Sequence, residues 1–196
     1  MKRPAMALAL VVAGFLGLMG CRTSSSSFRH LPKPAAGFHW EVFEEISVAV
    51  PAPDGWYRTV SKGKGTYTGS VSLEDCRTEG LFRTGFTVQV VDGVKRLTGQ
   101  TPSMLAVLLG QEISKAPSNE VLASDSQKEQ GALRSCFIRF RNSPALGDTI
   151  TVHKFFVPFD SSDVLYIYTF ESPGNTWEHA FQNYGMPMMD QVMMVR

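Results

Sequence analysis

Hydrophobic and polar residues alternate along much of the chain after residue 38, and this two-residue period is typical of half-buried β-strands. One alternating run extends from Phe43 to Val50 and stops at Pro51, and another extends from Phe82 to Val90. Three further runs predict strands in the second half of the chain, at Leu133 to Arg141, Thr149 to Val157 and Val164 to Glu171. The short connections between these three favour antiparallel neighbours.

The run from Val164 to Glu171 is apolar on both of its faces, which predicts a strand that is covered on both sides. A helix is predicted from Pro102 onward, with Thr101 as its N-cap. Its expected buried stripe contains Leu105, Leu108, Leu109 and Ile113. Near the C-terminus, Gly185 is expected to end one helical turn and Pro187 to open a short final helix that reaches Val195. We therefore expect an α+β fold, a mainly antiparallel β-sheet flanked by helices on both faces.

The first twenty residues predict a secretory signal peptide. Lys2 and Arg3 precede an uncharged apolar run from Ala5 to Met19, which is shorter than the roughly 20 residues that cross a bilayer as a helix. The following Leu18-Met19-Gly20-Cys21 resembles the lipobox of bacterial lipoproteins. That resemblance implies a diacylglyceryl group on the Cys21 thiol, cleavage before Cys21 and acylation of the new amine. The alternative is an ordinary cleaved signal followed by an unmodified cysteine.

The predicted location is the cell envelope, with the protein anchored by lipid and facing the periplasm. Arg22, in place of an aspartate after the cysteine, resembles the pattern of sorting to the outer membrane. Residues 21–37 comprise the lipidated cysteine and a Ser/Pro-rich linker that we expect to be flexible. A single globular domain is expected over residues 38–196.

The net charge of the chain argues against two classes of binding partner. Removal of the signal peptide leaves 17 basic and 18 acidic residues, a formal charge of −1. Such a balance gives no electrostatic footprint for nucleic acid and no basis for broad docking on anionic lipid.

Two cysteines remain after Cys21 is assigned to lipid. Cys76 and Cys136 form an even pair in an oxidising compartment, so a disulfide between them is possible. The other interpretation is two free thiols, with Cys136 buried in a strand.

Several short segments resemble the PsbP-like fold, the group that includes PsbP, the Ran-binding Mog proteins and DcrB-like envelope lipoproteins. The matching segments are Ile46 to Pro51, Gly55-Trp56, Gly85 to Val90 and Phe170 to Trp177. The resemblance extends over residues 38–196 and implies an α/β/α sandwich. Members of this group are typically non-enzymatic accessory factors that bind other proteins, but no motif here allows a functional residue to be transferred.

The chain offers little candidate chemistry. No zinc-ligand spacing, nucleophile elbow, phosphate loop or dinucleotide fingerprint is found, and no cofactor is expected. One local feature is a dense group of methionines, Met186, Met188, Met189, Met193 and Met194. They can fill gaps in the core, form an adaptable surface for a partner, or bind Cu(I) through their thioethers.

These observations predict a lipid-anchored envelope accessory protein that acts through protein–protein contacts and catalyses no reaction. Its expected partners are the membrane, through Cys21, and a protein. The alternative is an envelope lipoprotein that binds a small ligand or Cu(I), and an envelope hydrolase is a third possibility.

Overall fold

The computed structural model describes residues 28, 30–79, 83–143 and 147–194. Within these residues the strands are β1 (Phe38–Phe43), β2 (Val48–Pro53), β3 (Tyr57–Lys62), β4 (Thr66–Ser72), β5 (Gly85–Asp92), β6 (Asn119–Glu129), β7 (Ala132–Asn142), β8 (Ile150–Phe159), β9 (Val164–Pro173) and β10 (Met193–Met194). The α-helices are α1 (Cys76–Glu79), α2 (Val94–Thr98), α3 (Pro102–Lys115), α4 (Trp177–Ala180) and α5 (Met186–Gln191). No helix in this described part is both long and apolar enough to cross a bilayer.

The strands form two antiparallel sheets. The large sheet has seven strands in the order β3-β4-β5-β9-β8-β7-β6, so β9 lies at its centre. The small sheet has the order β1-β2-β10. The predicted mainly antiparallel architecture is confirmed, although the small sheet was not anticipated.

Strand β9 is covered on both sides, as its two apolar faces predict. Leu165 and Ile167 are buried on the face that packs against α3, while Tyr166, Tyr168 and Phe170 are buried on the opposite face. The central strand therefore belongs to two cores, one on each side of the large sheet.

Helix α3 covers one face of the large sheet and begins where the sequence predicts. The Thr101 hydroxyl accepts a hydrogen bond from the backbone N–H of Met104 at 3.2 Å, which caps the first turn. The buried stripe differs at one position: Leu108 is 37% exposed, and Ala106 is fully buried in its place. Ala106 lets the helix lie close to the sheet, while Leu105, Leu109 and Ile113 are partly buried beside it.

The other face of the large sheet is covered by the small sheet and by a C-terminal helical segment. That segment is continuous, because the wide π-turn Phe181–Gly185 joins α4 to α5. The prediction that Gly185 ends a helical turn is therefore wrong, because Gly185 has a right-handed, helical φ of −62°. The expected final helix to Val195 is also too long, since α5 ends at Gln191 and β10 follows.

The predicted strand from Phe43 to Val50 is interrupted. Residues Glu44–Ile46 form a 3₁₀ turn, and Ser47 has a left-handed φ of 52°. Strand β2 then continues through Pro51 to Pro53. Among the described residues, β10 pairs only with Val48 and Ala49 of β2. Pro51 lies beyond this pairing, so one side of β2 is an open edge there, and the missing N–H of proline is tolerated at such an edge.

Strand β6 had no counterpart in the sequence prediction. It is an edge strand of eleven residues whose side chains are mostly exposed. Because neither face is buried, its sequence lacks the alternation that reveals half-buried strands.

Candidate functional site

The five C-terminal methionines separate into buried and exposed side chains. Met188 is completely buried in the core, and Met189 packs against it. Met186 is 45% exposed, and Met193 and Met194 are each 36% exposed. The core-filling interpretation therefore holds for two of the five, while three present thioethers to solvent.

Met194 lies in a groove that we call the β10 groove, defined by Leu133, Val157, Phe159 and Met194. The groove is open and has a volume of about 600 Å³. Glu129 and Arg134 line it as well and form an ion pair at 3.5 Å. An apolar floor with a charged rim is the usual anatomy of a protein–protein contact.

A second groove follows the side of α3 that faces β5, and we call it the Lys154 groove. Its volume is about 440 Å³. Apolar side chains provide most of its lining, from α3 (Leu105, Leu109, Ile113) and from the sheet (Val91, Phe156, Ile167). Two polar side chains also line it, Lys154 of β8 and Gln89 of β5.

Burial shapes the electrostatics of the Lys154 groove. It lowers the pKa of Lys154, an effect that the nearby Glu171 carboxylate opposes. Burial likewise raises the pKa of Glu171; Lys154 counters this rise and Glu74 adds to it. No ion pair within 4 Å joins Lys154 to Glu171.

A third groove, of about 600 Å³, lies on the other side of α3, next to β6 and β7. Val107 and Ser114 of the helix line it, with Ser124 and Cys136 of the sheet. Burial raises the pKa of the Cys136 thiol, so Cys136 is held as the unreactive thiol rather than as a nucleophilic thiolate.

The possible Cys76–Cys136 disulfide is not formed, because both residues are free cysteines. Cys76 lies just after β4, where its sulfur is 3.4 Å from the hydroxyl of Ser72, whereas Cys136 belongs to β7. Strands β4 and β7 are four positions apart in the sheet, roughly 19 Å at about 4.8 Å per strand. A disulfide needs Cα atoms within about 7 Å, so this pairing is incompatible with the fold.

His153 belongs to a packed cluster that joins the C-terminal segment to the large sheet. Burial, with a smaller contribution from the Arg139 charge, lowers the pKa of His153 to about 4. Arg139 Nε donates to His153 Nδ1 at 3.3 Å, and the guanidinium lies 4.6 Å from the centre of the Phe181 ring. In the described part of the chain, Arg139 is the one hydrogen-bond partner of the imidazole, and the ring contacts those of Phe137 and Phe181.

Across residues 28, 30–79, 83–143 and 147–194, no three His, Cys, Asp or Glu side chains are placed to hold one ion. The predicted signal peptide and Cys21 lie outside the described residues. Ahead of residue 38, the Trp40 indole donates to the Pro32 carbonyl at 2.6 Å, so part of the predicted linker contacts the domain.

Sequence reasoning did not find the Lys154 groove, although one signal for it is present. On the α3 side of β8, Lys154 lies between the buried Val152 and Phe156. A lysine at a position whose neighbours on the same face are all buried indicates a charge placed in an apolar environment.

No protein-family model matches the chain, and no curated protein matches it in sequence. Solved structures do share its fold. The Ran-binding protein Mog1p of Saccharomyces cerevisiae has a TM-score of 0.50 at 12% identity, over 81% of this chain and 95% of Mog1p. This likeness agrees with the predicted PsbP-like architecture, and at such low identity it shows the fold alone.

Two further solved structures are less similar. Cyanobacterial PsbP (CyanoP) from Synechocystis sp. PCC 6803 has a TM-score of 0.49 at 10% identity, over 92% of this chain and 99% of that protein. LpqN of Mycobacterium tuberculosis, a protein involved in cell envelope biogenesis, has a TM-score of 0.44 at 11% identity, over 76% of this chain and 83% of LpqN. They add no functional conclusion.

Proposed function

We propose that this chain is a lipid-anchored accessory protein of the bacterial cell envelope, which binds a partner protein through the β10 groove and catalyses no reaction. The observation that carries this proposal is the exposure of Met193 and Met194 beside an open apolar groove. Flexible, polarisable thioethers adapt to varied partner surfaces.

The groove has the features that a partner's apolar side chain requires. Val157 and Phe159 provide a rigid floor because both lie in β8, and Met194 is fixed by pairing with Val48 of β2. The Glu129–Arg134 ion pair on the rim can orient an approaching polar group.

The shared fold gives limited further support. Mog1p is a Ran-binding protein, so the same architecture serves protein recognition in at least that case. The proposal for this chain therefore depends on its own exposed residues and not on transferred ones.

A copper-binding role has less support. Met188 is completely buried and Met189 packs against the core, so these two thioethers contribute to packing. A soft-metal site would have to be built from the remaining exposed methionines.

Site-specific photocrosslinking in intact cells tests the partner contact. A photoreactive residue placed at Met194 should form an adduct of defined mass, whereas one at Met104 should not. Met104 is the matched control because it is a methionine of similar exposure, 48%, on α3 at the opposite face. Met193→Glu should remove the adduct formed at position 194. The same adducts from positions 104 and 194, or none from 194, would refute the proposal.

The anchor is tested separately. Cys21→Ser should abolish metabolic labelling with an alkyne fatty acid. Cys76→Ser is the matched control and should keep the label. Labelling that persists without Cys21 would exclude the lipoprotein assignment and leave the groove proposal to its own test.

A further inference from the structure

The Lys154 groove lies on the α3 face of the large sheet, away from the small sheet and β10. We propose that it binds a single-chain amphiphile with one carboxylate head group, such as a long-chain fatty acid. Lys154 would hold the carboxylate, and the aliphatic chain would lie along α3.

The charge of Lys154 is the first argument. Among the described side chains, its ammonium has no ion-pair partner within 4 Å, and the Glu171 carboxylate acts on it from a greater distance. A partly buried charge without a direct partner is unfavourable, and a bound carboxylate within hydrogen-bond distance would supply the contact that Glu171 does not make. In this low-dielectric groove the attraction would exceed that of an exposed lysine.

The surroundings of Lys154 select a monoanion. Glu171 lies on the adjacent strand, diagonally across from Lys154, because Lys154 is opposite Thr169 and Glu171 is opposite Val152. A dianionic head group such as a phosphate monoester would face this carboxylate with only one cation to balance it. The neutral amide of Gln89 can donate to a carboxylate without adding charge.

The walls of the groove fit an aliphatic chain. Leu105, Leu109 and Ile113 are spaced four residues apart on α3, so they form an apolar strip about 12 Å long. A volume of about 440 Å³ lies within the range of small-molecule sites. Each methylene that enters this strip should tighten binding about fourfold.

Calorimetric titration tests the proposal with the full chain carrying Cys21→Ser, so that no acyl group of its own competes. The probe is dodecanoate below its micellar concentration, and 1-dodecanol and dodecyl phosphate are the comparison ligands. Dodecanoate should bind saturably and at least tenfold more tightly than the other two. Octanoate, whose chain is shorter than the strip, should bind at least about fifteenfold more weakly than dodecanoate.

Substitutions locate the site. Lys154→Met keeps the apolar stem and removes the charge, so it should weaken dodecanoate binding at least tenfold and leave 1-dodecanol unchanged. Lys154→Arg should restore binding to within a few-fold. Lys128→Met, an exposed lysine on β6, is the matched control and should have no effect.

One measurement needs no substitution. Reductive methylation of the otherwise unaltered chain, followed by mass spectrometry, should show that dodecanoate protects Lys154 and not Lys128. No saturable binding, equal affinity for 1-dodecanol, or unchanged affinity of Lys154→Met would each overturn the proposal. The photocrosslinking result at Met194 is independent of all three outcomes.

Discussion

The packing around Gly185 makes a prediction that opposes helix propensity. Gly185 is helical, and alanine is favoured over glycine in a helix by about 1 kcal/mol. A Cβ atom at this position, however, would lie 2.8 Å from ring carbons of both Phe170 and Phe181. Carbon atoms pack favourably at about 3.5–4.0 Å, so one or both rings must move.

The two rings have little room to move. Phe170 is completely buried, and Phe181 is held between Trp177, stacked at 4.9 Å, and the Arg139 guanidinium. Inserting a methyl group into such a core costs about 1–3 kcal/mol. After the gain in propensity, Gly185→Ala should lower the free energy of unfolding by up to about 2 kcal/mol.

Gly110 in α3 provides the matched control. A Cβ atom there would meet nothing within 4 Å, so Gly110→Ala should raise the free energy of unfolding by about 0.5–1 kcal/mol. Urea unfolding followed by tryptophan fluorescence measures both variants, and equal m-values would show that the change is in stability. If both substitutions raise the urea midpoint alike, the Phe170 and Phe181 rings do not require glycine at 185 and the reasoning is refuted.

Two further predictions concern titration and thiols. Folding lowers the pKa of His153 from 6.5 to about 4. Between these pH values the unfolded chain binds a proton that the folded chain does not bind. The free energy of unfolding therefore falls as the pH drops through this window, by about 3 kcal/mol in total. His153→Gln should flatten urea midpoints measured from pH 7 to pH 4.5, and an unchanged slope would contradict this assignment. In the Cys21→Ser chain, alkylation under denaturing, non-reducing conditions should label both Cys76 and Cys136. An unlabelled product that is two hydrogens lighter would instead show a disulfide.

The sequence predicts those parts of the fold in which one buried face produces a regular spacing of apolar residues. Strands β5 and β9 were recognised because their side chains face a core, and α3 because Thr101 and Pro102 mark its start. Strand β6 was missed because both of its faces are exposed. The sequence does not predict the interruption at Glu44–Ile46, because Ser47 adopts a left-handed conformation and serine is not a residue type that favours it.

Contacts between distant residues account for the other errors. Gly185 resembles a helix terminator in sequence, yet it is required by two rings, and one of them lies on β9. Cys76 and Cys136 form an even pair by count, but the strand order keeps them apart. No local sequence pattern predicts the Lys154 groove, because its lining comes from α3, β5, β7, β8 and β9.

The small sheet has a consequence for how an anchored molecule would be oriented. Strands β1 and β10 both pair with β2, so Trp40, which contacts Pro32, and Met194 lie about two strand spacings apart across the sheet and three residues apart along it, roughly 14 Å. For a chain held at Cys21 through the flexible linker, the β10 groove would lie near the point where the linker enters the domain. The Lys154 groove would open on the opposite side of the large sheet. A partner at the β10 groove and a ligand at Lys154 would thus occupy opposite faces of one molecule, so neither would block the other.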